Sequence, residues 1–319
     1  MNPQAFCPDT TLSTCSQIPA FIGGFRSGTT LLINLLGMHP LVVPWYETKE
    51  LCEALRWLKV LKSPAVVDIE KGLIQPLYPA GFNIDSVKAR MACHMRQTFL
   101  RMNGRVESGK AGHECYHFGG DYVLYGYDEA EAVLAQWFAA SRGASDAYDT
   151  HKVAAATGNL IRTLGNRQMM LSGKSRWINK TPEIPRFGYE LRQSLGECKI
   201  LLMVRNGWDV VSSAYALGWG SIEKLAFWWK ALIEQSRDVA QEGYYMEIRY
   251  EDLIAFPEET LDKVLDFFEL PQMGKALCAS YWQYTESAFE FSKHKRTMRS
   301  QRELFDRIAG QLMESLGYV

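Results

Sequence analysis

The chain has 319 residues, 47% of them hydrophobic and 22% charged, an ordinary globular composition that excludes wholesale disorder. Lys plus Arg number 35 against 36 Asp plus Glu, for a net charge of −1, so the basic surplus typical of a nucleic-acid binder is missing overall. No apolar run approaches the ~20 residues that span a bilayer, and the seven scattered cysteines, with no CxxC pair, argue against a disulfide framework or zinc site and for a reducing, cytoplasmic setting.

Residues 1–17 are polar, contain Pro3 and Pro8, and lack the basic-then-apolar order of a secretory signal; they read as a flexible arm before a domain over 18–319. Residues 19–23 (PAFIG) predict a short buried strand entering a glycine turn, and Leu31, Leu32, Leu35 and Leu36 recur behind it at helical spacing. Amphipathic helices are expected over 45–62 and 85–103, an irregular segment over 105–127, and helix again over 128–142. Aromatic residues such as Tyr116, Tyr122, Tyr125 and Trp137 make 105–160 a candidate lid or acceptor-binding insertion, with packing around long loops as the plainer alternative. Further on, a strand is predicted at 199–204 (KILLMV), a helix from about Asp209, a helix over 222–241 and a strand over 244–250. Pro257 suits the first turn of a helix reaching about Leu270, and a last helix over 301–316 is closed by Gly317. Strands alternating with helices predict a single α/β domain, with a central parallel sheet flanked by helices and a P-loop-like strand–loop–helix at its start.

The strongest chemical signal is Gly23-Gly24-Phe25-Arg26-Ser27-Gly28-Thr29-Thr30, between the first strand and the first helix. Small residues let the backbone wrap an anion, and the free N–H groups of a helix start favour negative charge there. Thr29 and Thr30 add hydroxyl donors, and Arg26 a fixed cation with a forked donor set. A nucleoside-triphosphate P-loop needs Lys after its last Gly, where Thr29 stands here. A second cluster is KILLMVRNGWDVVSS, in which Arg205 at a strand end and Ser213 (or its neighbour Ser212) in the next helix can converge on a dianion. Asp209 suits the helix start rather than a ligand.

The run FIGGFRSGTTLLINLLGMHP, residues 21–40, resembles the 5′-phosphosulfate loop of sulfotransferases that use 3′-phosphoadenosine-5′-phosphosulfate (PAPS). Its Arg-Ser-Gly-Thr-Thr form with His39-Pro40 is similar to the tyrosylprotein and bacterial branches. The resemblance also covers 173–213 and 244–319, and it implies nucleotide binding by Gly24, Arg26, Ser27, Gly28, Thr29 and Thr30, with Arg205 and Ser213 on the 3′-phosphate. It implies Lys180 near the leaving group, with Arg26 alongside. Cytosolic members carry a catalytic His two residues after that Lys, but Pro182 stands there. The tyrosylprotein-like place after His39-Pro40 falls on Glu47, which the resemblance makes the general base. Such a carboxylate needs a raised pKa or tight geometry, which Trp45 and Tyr46 can help supply. Glu50 is the alternative base, then His113, His117 and His151. Arg249 to Leu253 reads as scaffold. Ser292-Lys293-His294-Lys295-Arg296 stands where cytosolic members carry RKGxxGDWK, either covering the nucleotide or as a solvated charge run.

The implied reaction is in-line sulfuryl transfer from PAPS to a hydroxyl acceptor, expected to be small or lipophilic, with no metal and with neither nucleic acid nor membrane as partner. A magnesium-dependent nucleotide kinase or other phosphotransferase, and a non-catalytic nucleotide-binding module, are the alternatives.

Overall fold

The computed structural model describes residues 17–62, 65–68, 73–76, 83–107, 123–142, 149–238, 240, 243–282 and 299–318. The predicted arm before Gln17, His113, His117 and the basic cluster from Ser292 to Arg296 lie outside these. At the centre is β1 (Ala20–Gly23), every residue of it buried. It pairs in parallel with β5 (Arg176–Lys180) on one side and β6 (Lys199–Val204) on the other. Beyond β5 lies β2 (Val42–Tyr46), and beyond β6 lies β7 (Tyr245–Arg249), so the sheet order is β2-β5-β1-β6-β7, all parallel. A separate antiparallel pair is formed by β3 (Ala65–Asp68) and β4 (Leu73–Pro76).

A parallel sheet needs helical crossovers, which cover both of its faces. On one side α1 (Thr29–Gly37), α2 (Lys49–Lys62), α4 (Tyr127–Arg142) and α5 (Thr150–Ser172) close a core that includes Phe21, Ile33, Trp45, Trp137, Ile161 and Trp177. On the other, α7 (Gly207–Ala216), α8 (Ile222–Arg237) and α12 (Arg299–Ser315) close a second core around Val204, Val210, Trp229 and Phe305. Strand β6 feeds both cores, Leu201 and Met203 to the first and Leu202 and Val204 to the second. That is why KILLMV reads as a continuous apolar run rather than an alternating one. The other helices are α3 (Ile84–Glu107), α6 (Gly188–Leu195), α9 (Tyr250–Ala255), α10 (Pro257–Phe267) and α11 (Gly274–Trp282).

Several predicted boundaries move. Trp45 and Tyr46 end β2 instead of opening a helix; the chain turns at Glu47 and α2 begins at Lys49. Helix α3 continues through Asn103 and Gly104 to Glu107, and α8 stops at Arg237. Within 105–160, the described residues include α4 and the first half of α5, which send Leu134, Trp137, Val153 and Leu160 into the core. No helix among the described residues is long and apolar enough to cross a membrane.

Candidate active site

The carboxyl ends of parallel strands point to one edge of the sheet, where crevice sites form. All five strands deliver a residue there. The loop after β1 carries Arg26 and Gly28, Glu47 follows β2, and Lys180 ends β5. Arg205 follows β6, and Tyr250 follows β7. These six residues line one open cleft of about 230 Å³, whose apolar wall includes Phe25 and Trp219. The cleft therefore brings together two clusters that lie far apart in sequence.

The glycine loop is built by conformation as much as by composition. Gly24 has φ 135°, and a Cβ there would lie 2.2 Å from the backbone oxygen of Met203. Its N–H is bonded to the Pro182 carbonyl at 3.0 Å, so Gly24 shapes the turn and ties it to the segment after β5. Gly28 has φ 84° and stands before α1 as a cap without a side-chain hydrogen bond. The first amides of α1 thus begin at the cleft without a capping side chain, the arrangement that receives an anion. Thr29 and Thr30 line the cleft, whereas Ser27 is buried and its hydroxyl donates to the Phe25 carbonyl at 3.0 Å.

Arg26 stands at φ 50° and donates to the Ser213 hydroxyl from Nε at 3.3 Å and from Nη2 at 3.1 Å. Its guanidinium lies 5.5 Å from the centre of the Trp219 ring. Ser213 is the half-buried member of its pair and faces this cation, while Ser212 is buried. Arg205 is buried, with its guanidinium 4.5 Å from the Tyr250 ring centre and 3.6 Å from Asp209. Burial raises the Tyr250 hydroxyl pKa, and the Arg205 charge opposes that rise. Asn206 caps α7 by accepting from the N–H groups of Trp208 and Asp209, which leaves Asp209 in the first turn to pair with Arg205.

Across the cleft, Lys180 donates to Glu47 Oε1 at 2.9 Å; the lysine side chain is 1% exposed and the carboxylate 25%. The Glu47 backbone N–H donates to the Lys180 carbonyl at 2.7 Å, extending the β2–β5 ladder by one bond. Glu47 has φ 45°, and the described residues hold only three non-glycine positions with positive φ: Arg26, Glu47 and Glu269. Such backbone costs on the order of 1–3 kcal/mol per residue and persists where its surroundings over-determine it. Two of the three lie in this cleft.

The two alternative bases among the described residues, Glu50 and His151, sit elsewhere. Glu50 is buried in the first turn of α2 and does not line the cleft; its charge, after burial, helps raise the Tyr125 hydroxyl pKa. His151 is exposed in the first turn of α5. Tyr250, read from sequence as scaffold, lines the cleft, and the strand-end rule that singles out Arg205 applies to it equally. Thr48, Asn179 and Thr181, buried behind the Glu47–Lys180 pair, carry no sequence signal that separates them from ordinary polar residues. No group of three or more His, Cys, Asp or Glu among the described residues is arranged to hold a metal ion.

A family model described as Sulfotransferase family matches residues 113–273, half of the chain, including Lys180, Arg205 and Ser213. Among solved structures, the chain is similar to sulfotransferase STF9 from Mycobacterium avium, with 11% identity and a TM-score of 0.50, covering 95% of this chain and 78% of that one. It is also similar to the sulfotransferase domain of the Synechococcus PCC 7002 olefin synthase, with 17% identity and a TM-score of 0.46, covering 95% and 94%. At 11% identity the likeness to STF9 concerns the fold alone. No curated protein matches the chain.

Proposed function

Because the chain belongs to the sulfotransferase family, we propose that it transfers a sulfuryl group from PAPS to a hydroxyl acceptor, with Glu47 as general base. The observation that carries this reading is the Glu47–Lys180 pair, 2.9 Å apart in a cleft that also includes the glycine loop, Arg26 and Arg205. A carboxylate and a fixed ammonium side by side are what a transfer between two oxygens needs: one group to take a proton, the other to meet charge developing on the leaving oxygen.

The residues fit the donor. Gly24 and Gly28 let the loop take its turn where a Cβ would collide with the Met203 backbone or the Tyr250 ring, and the start of α1 offers uncapped amides to the 5′-phosphosulfate. Arg205 and Ser213, on the next strand and helix, suit the 3′-phosphate. At about 230 Å³ the cleft is below the usual ~300–1,000 Å³ of a ligand pocket, which suits the anionic end of a nucleotide rather than all of it. The donor supplies an activated sulfuryl group: as the acceptor oxygen forms its bond to sulfur, the bond from sulfur to the 5′-phosphate oxygen breaks. Glu47 takes the acceptor's hydroxyl proton, and Lys180 and Arg26 stabilise the negative charge left on the phosphate. The apolar wall of Phe25 and Trp219 favours a small or lipophilic acceptor.

Calorimetry with 3′,5′-bisphosphoadenosine and with magnesium-ATP, followed by transfer of labelled sulfate from PAPS to a set of phenols and alcohols, tests the reading. Metal-independent binding of the bisphosphate and labelled sulfate esters are expected. Preference for magnesium-ATP with phosphate transfer would make the protein a phosphotransferase and remove the roles of Glu47 and Lys180.

A further inference from the structure

Behind the Glu47–Lys180 pair lies a closed set of buried polar side chains. Asn179 Nδ2 donates to Thr48 Oγ1 at 2.7 Å, Thr181 Oγ1 donates to Asn179 Oδ1 at 3.0 Å, and the two threonine hydroxyls lie 3.4 Å apart. All three side chains are essentially inaccessible to solvent. We propose that this Thr48–Asn179–Thr181 triangle is a positioning device that holds Glu47 and Lys180 in register for proton and sulfuryl transfer. The proposal rests on the sulfotransferase reading of the cleft.

The connectivity carries the argument. Thr48 is the residue after Glu47, and Asn179 and Thr181 flank Lys180. Successive residues of a strand point to opposite faces, so the neighbours of Lys180 are directed away from it and toward the turn that leaves β2. The triangle therefore clamps the backbone on both sides of Lys180 and directly after Glu47. The parallel register sets Tyr46 opposite Lys180, and the Glu47 N–H to Lys180 carbonyl bond adds one rung. Beyond that rung β2 has ended and α2 has yet to begin, so no ladder holds Thr48. The side-chain bonds from Asn179 and Thr181 replace the ladder where the chain passes through the left-handed turn at Glu47.

Chemistry argues the same way. Burying an amide and two hydroxyls is unfavourable unless they satisfy one another, and apolar β-branched residues would fill this strand end without that requirement. A satisfied polar network in turn fixes one geometry. Its place here, between the two strand ends that carry the carboxylate and the ammonium, is where a small displacement separates the pair.

Thr48→Val keeps the shape and removes the hydroxyl; Thr48→Ser restores it. Wild type and both variants are compared by calorimetry with 3′,5′-bisphosphoadenosine, by kcat and KM for PAPS with the acceptor that wild type sulfates fastest, and by crystal structure. Thr48→Val is expected to bind the bisphosphate like wild type, keep its KM for PAPS and lose kcat by about 10- to 100-fold, the scale of a small misplacement of reacting groups. Thr48→Ser should recover most of that kcat. In the Thr48→Val crystal, the Glu47–Lys180 contact should open beyond about 3.5 Å, out of hydrogen-bond range. Thr181→Val, which leaves the 2.7 Å bond from Asn179 to Thr48 in place, should fall between, and it supplies the test if Thr48→Val does not fold. A wild-type kcat in these valine variants, an unchanged Glu47–Lys180 distance, or a loss of kcat that serine does not recover would overturn the proposal and leave the sulfotransferase reading standing. Failure of wild type to bind the bisphosphate would overturn both.

Discussion

The Arg26 guanidinium reaches the Ser213 hydroxyl across 187 positions of sequence, with two donors on one oxygen at 3.3 and 3.1 Å. The contact joins the loop after β1 to the helix after β6, so the two proposed phosphate sites form one continuous donor surface. A nucleotide that bridges them meets groups already converged.

Ser213→Ala should therefore weaken binding of 3′,5′-bisphosphoadenosine by about tenfold or more, because a hydrogen bond to a charged group contributes about 1.5–3 kcal/mol. Arg205→Ala should weaken it further, since it removes a buried guanidinium from the same phosphate. Calorimetry reads both. Affinity unchanged in Arg205→Ala would remove that residue from the nucleotide site.

Glu47→Gln separates the base from the scaffold. Glutamine keeps an oxygen that can accept from Lys180, and it occupies the same left-handed backbone at φ 45°. Bisphosphate affinity should hardly move, while the melting temperature should fall, because the buried Lys180 ammonium loses its counter-charge. Turnover should fall by about 10²–10⁴-fold, the usual contribution of a positioned proton acceptor. Turnover equal to wild type with every acceptor would exclude Glu47 as the base.

Local pattern made the centre of the sheet and its anion loop readable: β1, its glycines and the apolar run of β6 announce themselves. The pieces that escaped did so for physical reasons. Pro44 makes the stretch before Glu47 look unlike a strand, yet β2 is at the sheet edge and pairs only with β5, where a missing N–H is tolerated. Strand β5, RWINK, looks polar because Asn179 and Lys180, though buried, bond to polar partners at the strand end rather than joining the apolar core. Helix α5 contains Gly158 and Gly165, which weaken a helical pattern. A Cβ on Gly158 would lie 2.0 Å from the Ser194 carbonyl oxygen, and one on Gly165 2.4 Å from the Trp177 ring, so these glycines serve close packing. The Glu47–Lys180 pair was readable only as two separate residues matched to a family pattern, because β2 and β5 are 133 positions apart at that contact.

The glycine loop predicts a graded stability series. Gly24→Ala meets both a φ of 135° and a rigid backbone oxygen 2.2 Å from the new Cβ. Gly173, which ends α5 at φ 67°, has nothing within 4 Å of the place a methyl group would take, so alanine there carries only the left-handed penalty of about 1–2 kcal/mol. Denaturant midpoints should order wild type above Gly173→Ala and Gly173→Ala above Gly24→Ala. Gly24→Ala should also lose bisphosphate binding while Gly173→Ala keeps it. Equal midpoints for the two variants would mean that the backbone around Gly24 yields freely.

His39 gives a pH dependence whose sign follows from its bonds. The ring is fully buried; Nδ1 accepts from the Leu41 N–H at 3.1 Å, and Nε2 lies 3.3 Å from the Pro271 carbonyl oxygen and donates to it. That pattern suits the neutral ring, because a second proton on Nδ1 would face the Leu41 donor. Burial lowers the His39 pKa, the Pro271 carbonyl opposes the shift, and the charge of Lys174 adds to it. The unfolded chain, with an ordinary pKa of about 6.5, then binds the proton more readily than the folded one. The contribution of His39 is fully present above about pH 6.5 and is lost as pH falls through its lowered folded value. Asparagine at this position can still accept from the N–H two residues on, as Asx turns do, but does not titrate. Urea unfolding of wild type should therefore lose stability more steeply between about pH 7 and pH 5 than that of His39→Asn. Parallel pH profiles for the two proteins would show that His39 is protonated as easily inside the fold as outside it.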